Sequence, residues 1–168
     1  MLSLGCLALG AGVALAAKST SPGIDAIRGK SPQDAATAAL VEAERLSGSG
    51  TWELLGVARA YYLSGNKSKG QALIDKVMAG KTDHNDWQRI GQLYAEAGEK
   101  DKAVQFFEKA LAADPKDDTG QSEIGAWYLR MGLRDQGEAL FAKAFARSPD
   151  EAGHYLRAAE GFLNVPPK

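Results

Sequence analysis

Cysteine occurs once in the 168 residues, at Cys6, inside an apolar N-terminal stretch. From Lys18 onward the chain has no thiol, so that part holds neither a disulfide nor a thiolate metal site and is indifferent to the redox state of its compartment. Aromatic residues are only 8% of the sequence, which argues against a sheet, whose strands favour aromatic and β-branched side chains. The abundant alanine and glycine suit close-packed helices instead. Neither charge is in excess: 20 Lys and Arg stand against 21 Asp and Glu, interspersed, for a net charge of −1. The basic field that nucleic acid or an anionic membrane surface requires is therefore missing, and no nucleic-acid partner is expected.

A long hydrophobic run is also missing. Residues 1–17, MLSLGCLALGAGVALAA, are uncharged and end at Lys18, but they fall short of the roughly 20 apolar residues of a spanning helix. Ala14-Leu15-Ala16 has the small-x-small form of a signal-peptidase site, although no basic residue precedes the apolar run. The expectation is export, periplasmic or otherwise, with residues 1–17 either cleaved or kept as an apolar anchor, which would be the only membrane attachment. A lipoprotein site at Leu4-Gly5-Cys6 is a poor match, because Ser3 stands where an aliphatic residue belongs.

Groups that carry chemistry are just as scarce. His84 and His154 belong to no H-E-x-x-H pair and have no cysteines beside them, so both read as structural or solvated. Gly120-Gln121-Ser122-Glu123-Ile124 approaches a nucleophile elbow but has Ile124 in place of the second glycine. Ser47-Gly48-Ser49-Gly50 lacks the Lys-Ser/Thr ending of a phosphate-binding loop. The carboxylates alternate with Lys and Arg, as on a solvated helix face. No catalytic, cofactor-binding or metal-ligating residue is expected.

What the sequence does contain is a repeat. Shifted by 34, residues 84–117 fall on 118–151 without a gap: Ile90 on Ile124, Gly91 on Gly125, Tyr94 on Tyr128, Gly98 on Gly132, Phe107 on Phe141, Ala110 on Ala144 and Pro115 on Pro149. Trp87, Ile90, Gly91 and Tyr94 follow the i, i+3, i+4, i+7 spacing of one helix stripe; Ala103, Phe107 and Ala110 make a second. Gly98 stops the first helix, and Asp114-Pro115 ends the second because proline disfavours helix at the residue before it. The unit is helix, turn, helix, turn. A degenerate copy at 51–83 has Tyr61 and Gly65 in the places of Tyr94 and Gly98 but lacks the closing proline.

Trp87, Ile90, Gly91, Tyr94, Ala103, Phe107, Ala110 and Pro115 resemble the signature positions of a tetratricopeptide repeat, in order and at the right offsets. The next unit departs at Gln121 and Gly137, where tryptophan and alanine are usual. The resemblance implies an all-α fold: a tetratricopeptide-type α-solenoid of about three helix-turn-helix repeats, 51–83, 84–117 and 118–151, the whole domain being 31–168 after a linker at 18–30. Capping helices are expected at 32–46, with Ser31 as N-cap and Pro32 as first helical residue, and at 151–163, with Tyr155, Ala158, Ala159 and Phe162 inward. The other helices are predicted at 51–63, 67–79, 85–97, 100–112, 118–131 and 134–146. Since alanine is the usual residue at Gly137, Gly137→Ala is expected to keep or raise the melting temperature.

In such repeats the first helices line a concave groove that holds a segment of another protein. Carried over, the groove comprises Trp52, Arg59 and Tyr62 from the first unit, Gln88, Gln92 and Glu96 from the second, and Ser122, Leu129 and Arg130 from the third. Trp52 has a second reading, packing under the first capping helix. The carboxylate clamp of chaperone-binding relatives is not matched, since its places hold Leu55, Arg59, Gln88, Gln92, Ser122 and Ala126. The implied function is a protein-protein interaction module without a cofactor, an adaptor, assembly factor or chaperone-like subunit of the bacterial exported type. The alternatives are a permanent structural subunit of an envelope or secretion complex and an accessory domain of an envelope biosynthetic system.

Overall fold

A computed structural model describes residues 21–167. Among them are eight α-helices: α1 Pro32–Ser47, α2 Thr51–Leu63, α3 Lys67–Met78, α4 His84–Glu96, α5 Lys100–Ala113, α6 Asp118–Arg130, α7 Arg134–Arg147 and α8 Ala152–Phe162. They are joined by short turns, with no strand among the described residues. The linker is not wholly irregular, since Gly23–Ala26 forms a 3-10 turn that packs on α1. The apolar residues 1–17 lie outside the described residues. No described helix is long and apolar enough to cross a membrane.

Local chemistry sets the helix ends. Ser31 accepts a hydrogen bond from the Asp34 N–H ahead of Pro32, Asp83 and Asp86 form a reciprocal capping box, and Asp117 accepts from the Gly120 N–H. Gly65, Gly98 and Gly132 end α2, α4 and α6 at φ +99°, +75° and +76°, a conformation that favours a residue with no Cβ. The Glu99 and Leu133 N–H groups then close the turns on the carbonyls of Tyr94 and Tyr128.

Within each unit the two helices cross at small residues and are wedged by large ones. A Cβ on Gly91 would lie 2.6 Å from the Phe107 ring, and one on Gly125 would lie 3.0 Å from Phe141. Tyr94 is stacked on Phe106 and meets Tyr62 edge-on, so one aromatic joins two units. Phe107 meets Tyr128 in the same way across the next boundary. Ile74, Ile90, Phe107 and Ile124 are at most 1% exposed, and this continuous buried row is the core.

Three expectations need correction. Gly137 is as tight as the other crossing glycines: a Cβ there would lie 2.9 Å from the Gly125 carbonyl oxygen and 3.0 Å from Leu129, so alanine does not fit without parting α6 from α7. On α8 the inward face is not the expected one. His154 and Gly161 are buried, with Arg157 and Ala158 half-buried between them, whereas Ala159 is exposed and Tyr155 and Phe162 are 60% and 57% exposed. The expected stripe faces a helix's own second helix, and α8 has none among the described residues. Trp52 does not pack under α1; it is 61% exposed with the Arg89 guanidinium over its ring.

Candidate functional site: the concave face of the first helices

The first helices α2, α4 and α6 lie side by side, and α8 continues the row on α6. Where α2, α4 and α6 meet, a cleft of about 330 Å³ is lined by Trp52, Asn85, Gln88, Arg89, Gln92, Glu123 and Pro167. Trp52 and Arg89 form one wall by cation–π stacking. Burial pushes the Arg89 guanidinium down from its ordinary value, against the charges of Asp86, Glu123 and Glu53. Gln88 forms the floor, its amide donating to the Glu123 carboxylate at 2.6 Å, and Arg157 of α8 approaches the same carboxylate at 3.5 Å.

The chain's own C-terminal segment enters this cleft. Asn164, at φ +58°, turns the chain at the end of α8, Arg130 donates to its carbonyl at 2.5 Å, and Pro167 reaches the cleft wall beside Gln92. Residues 163–166 are exposed and Pro167 is half-buried, so hydrogen bonds hold the segment at its near end and burial holds it at its far end.

Of the expected groove residues, Trp52, Gln88 and Gln92 share this cleft. Arg59 and Glu96 lie elsewhere, bound to each other through two hydrogen bonds of 2.5 and 2.8 Å, so Glu96 is already engaged by a cation of its own chain. Of the other four expected residues, Tyr62, Ser122 and Leu129 are not on an open groove, and Arg130 lines a separate cleft with Ala95, Gly98, Lys100 and Met131. Tyr62 is 4% exposed; it packs on Tyr94, and its hydroxyl donates to Glu99. Burial, and then the Glu99 carboxylate, push its hydroxyl above the ordinary value. Ser122 is 1% exposed under α8, where its hydroxyl lies 3.1 Å from His154 Nδ1. Leu129 is wedged between Gly137 and Gly161, and Arg130 holds the C-terminal segment. For Ser122 and Leu129 the physical reason is Gly161. It occupies the register place of Leu93 and Trp127, and without their bulk α8 reaches the α6 backbone, where a Cβ would lie 3.0 Å from Ala126 Cα.

Asn85 holds a groove place of the second unit and lines the cleft as that place requires, whereas Arg89, Glu123 and Pro167 were not singled out by the sequence. Their signal was positional: Arg89 and Glu123 stand one residue beyond the Gln88 and Ser122 groove places, on the side that meets the adjoining first helix. Around His154 a second polar group is closed off. His154 is 1% exposed; its Nε2 lies 3.9 Å from Asp118, which also accepts from the Ser148 hydroxyl. This serine–histidine–aspartate proximity lies beneath α8 and does structural work. No group of three or more His, Cys, Asp or Glu with metal-holding geometry occurs among the described residues.

The tetratricopeptide repeat family model matches residues 87–117, which are α4 with α5 and the turn that follows. These residues are similar to a tetratricopeptide repeat. No curated protein and no solved structure matches it. The fold is an all-helical α-solenoid, of a kind that is typically non-catalytic, and tetratricopeptide repeats generally mediate binding to other proteins or peptides.

Proposed function

We propose that this chain is an interaction module that takes an extended segment of a partner protein into the cleft bounded by Trp52, Arg89, Gln88 and Gln92. The observation behind this reading is Pro167: a proline of the chain itself, preceded by Pro166, lines the cleft. Extended proline-rich segments lose little conformational entropy on binding and dock against aromatic walls with amide donors beside them. Trp52 supplies such a wall, and Gln88 and Gln92, one turn apart, supply the amides. The partner displaces the resident segment, so affinity is modest. We further propose export of the chain through residues 1–17, on the basis of their uncharged apolar character and small-x-small site.

A photo-crosslinking residue at position 92, compared with one at the outer-face position 143, tests the reading in the native cell. Crosslinked partner peptides are expected from position 92, lost on Trp52→Ala and increased when Pro166 and Pro167 are both replaced by glycine. Crosslinks from position 143 alone, at unchanged helicity, would place the working surface on the convex side.

A further inference from the structure

The two ends of the helix stack are incomplete in opposite senses. In the repeat register α2, α4, α6 and α8 are first helices, while α3, α5 and α7 are second helices. At the C-terminal end α8 is a first helix with no second helix following it among the described residues. At the N-terminal end α1 carries Ala36, Leu40 and Ala43, the small-large-small stripe of a second helix at the spacing of Ala103, Phe107 and Ala110, and no first helix precedes it among the described residues. We infer that copies of this chain associate end to end, α8 of one copy seating between α1 and α2 of the next and completing a repeat there.

The exposed side chains fall where this arrangement requires them. Shifted back by 34, Tyr155, Leu156, Phe162 and Leu163 correspond to Gln121, Ser122, Tyr128 and Leu129. The first three of these are 4%, 1% and 5% exposed, whereas the four on α8 are 60%, 55%, 57% and 73% exposed. Tyr155 and Phe162 occupy the places that face a second helix; Leu156 and Leu163 occupy those that face the next first helix.

At the other end a cleft of about 490 Å³ lies between α1 and α2, lined by Leu40, Ala43, Leu46, Glu53, Gly56 and Val57. Gly56 and Glu53 hold the register places of Arg157 and His154, the residues with which α8 rests on α6. A Cβ on Gly56 would meet nothing within 4 Å. Among the described residues nothing fills this seat of a preceding first helix, and its walls carry the second-helix stripe that α8 lacks.

Charge and area agree with the pairing. Arg89 lies in the field of Glu123, and Glu123 lies 3.5 Å from Arg157, so the row of first helices alternates in sign. End-to-end stacking sets Arg157, which Glu123 and Glu160 of its own chain already flank, opposite Gly56 of the next copy, with Glu53 one turn before it. The four side chains of α8 present on the order of 400–500 Å² of apolar surface, the size of patch that marks an interaction site on a monomer. With the cleft lining and rim the contact reaches roughly 1,000 Å² in total, the lower limit of specific interfaces and the range of weak ones. Residues 163–167 do not form that helix, because Asn164 turns the chain and Pro167 lines the concave cleft instead. The contact joins unlike surfaces, so it builds chains or rings rather than a symmetric pair. It is independent of what the concave cleft binds.

Sedimentation velocity on the full chain, from micromolar to near-millimolar concentration, tests this. The weight-average mass is expected to rise with concentration above the monomer's. Leu156→Glu with Leu163→Glu blocks one end; Leu46→Glu with Gly56→Gln blocks the other at exposed positions that leave the monomer's packing alone. Each double variant, at unchanged helicity by circular dichroism, is expected to remain monomeric by itself, and an equimolar mixture is expected to form a one-to-one heterodimer and nothing larger. A wild-type mass fixed at the monomer overturns the inference; that is also the result expected if residues 1–17 fill the cleft in the same chain. Self-association by either variant alone, or a mixture that stays monomeric, overturns it as well.

Discussion

At the scale of single residues, the informative positions are those where a small group meets a backbone. Gly137 is the clearest. Helix propensity favours alanine there by about 1 kcal/mol, but the added methyl would press on the Gly125 carbonyl and on Leu129, and overpacking of that kind costs about 1–3 kcal/mol. The second effect wins, because the nearest atom belongs to a backbone that moves only with its whole helix. Gly137→Ala is therefore expected to lower the melting temperature by several degrees, and Gly125→Leu by more, in calorimetric scans at neutral pH. Glu99 gives a pH signature. The Lys102 and Lys67 ammonium groups, then the Tyr62 hydroxyl, hold its carboxyl down at about 2. Because the folded value is depressed, its stabilisation is present above the unfolded value of about 4.3 and is lost as pH falls toward 2. The ion pairs are solvent-screened, so the effect is small. Glu99→Gln is expected to be slightly less stable than wild type in urea titrations at pH 7, with the gap narrowing as pH falls from about 4 toward 2; a gap that widens on acidification would contradict this account.

At the scale of helices, the sequence was most legible where one rule acted alone. Ser31-Pro32 marked the start of α1, glycines marked the ends of α2, α4 and α6, and the 34-residue period set the remaining spans to within a residue or two. It was least legible where a helix chooses among neighbours. The face of α8 depends on which helices lie beside it, with no second helix of its own among the described residues, and no property of residues 151–163 alone records that. Ser122 and Leu129 stand at groove places in the register; what covers them is Gly161, 39 and 32 residues later in the chain, acting through an approach that a leucine or tryptophan would prevent. This yields a prediction at the same scale. Gly161→Leu restores the residue that α4 has at this place and should lift α8 from α6, exposing Ser122 and His154. Hydrogen exchange is expected to quicken across α8 and the C-terminal segment while α2–α5 keep their protection. Quickening throughout the chain would mean instead that α8 is integral to the core.

At the scale of the whole molecule, the solenoid has no single centre, and its stability is approximately a sum of unit stabilities and nearest-neighbour contacts. Those terms are unequal along this chain. The middle unit, α4 with α5, is bounded on both sides: Tyr94 packs on Tyr62, Phe107 packs on Tyr128, and Ile90 and Phe107 are fully buried. By contrast α1 has no buried residue at all, and α8 is held by one face with its apolar side exposed. Opening from the ends thus disrupts one interface at a time, whereas opening α4 and α5 requires breaking two. Native-state hydrogen exchange on dilute protein is expected to show a gradient: slowest in α4 and α5, intermediate in α2 and in α6 and α7, faster in α8, and fastest in α1. Raising the protein concentration supplies a further test of the same ledger. If copies stack through α8 and α1, these two helices gain the neighbour each lacks, so their exchange should slow selectively while that of α4 and α5 stays the same. Uniform protection along the chain at every concentration would show a single cooperative unit, and the nearest-neighbour description would then fail for this molecule.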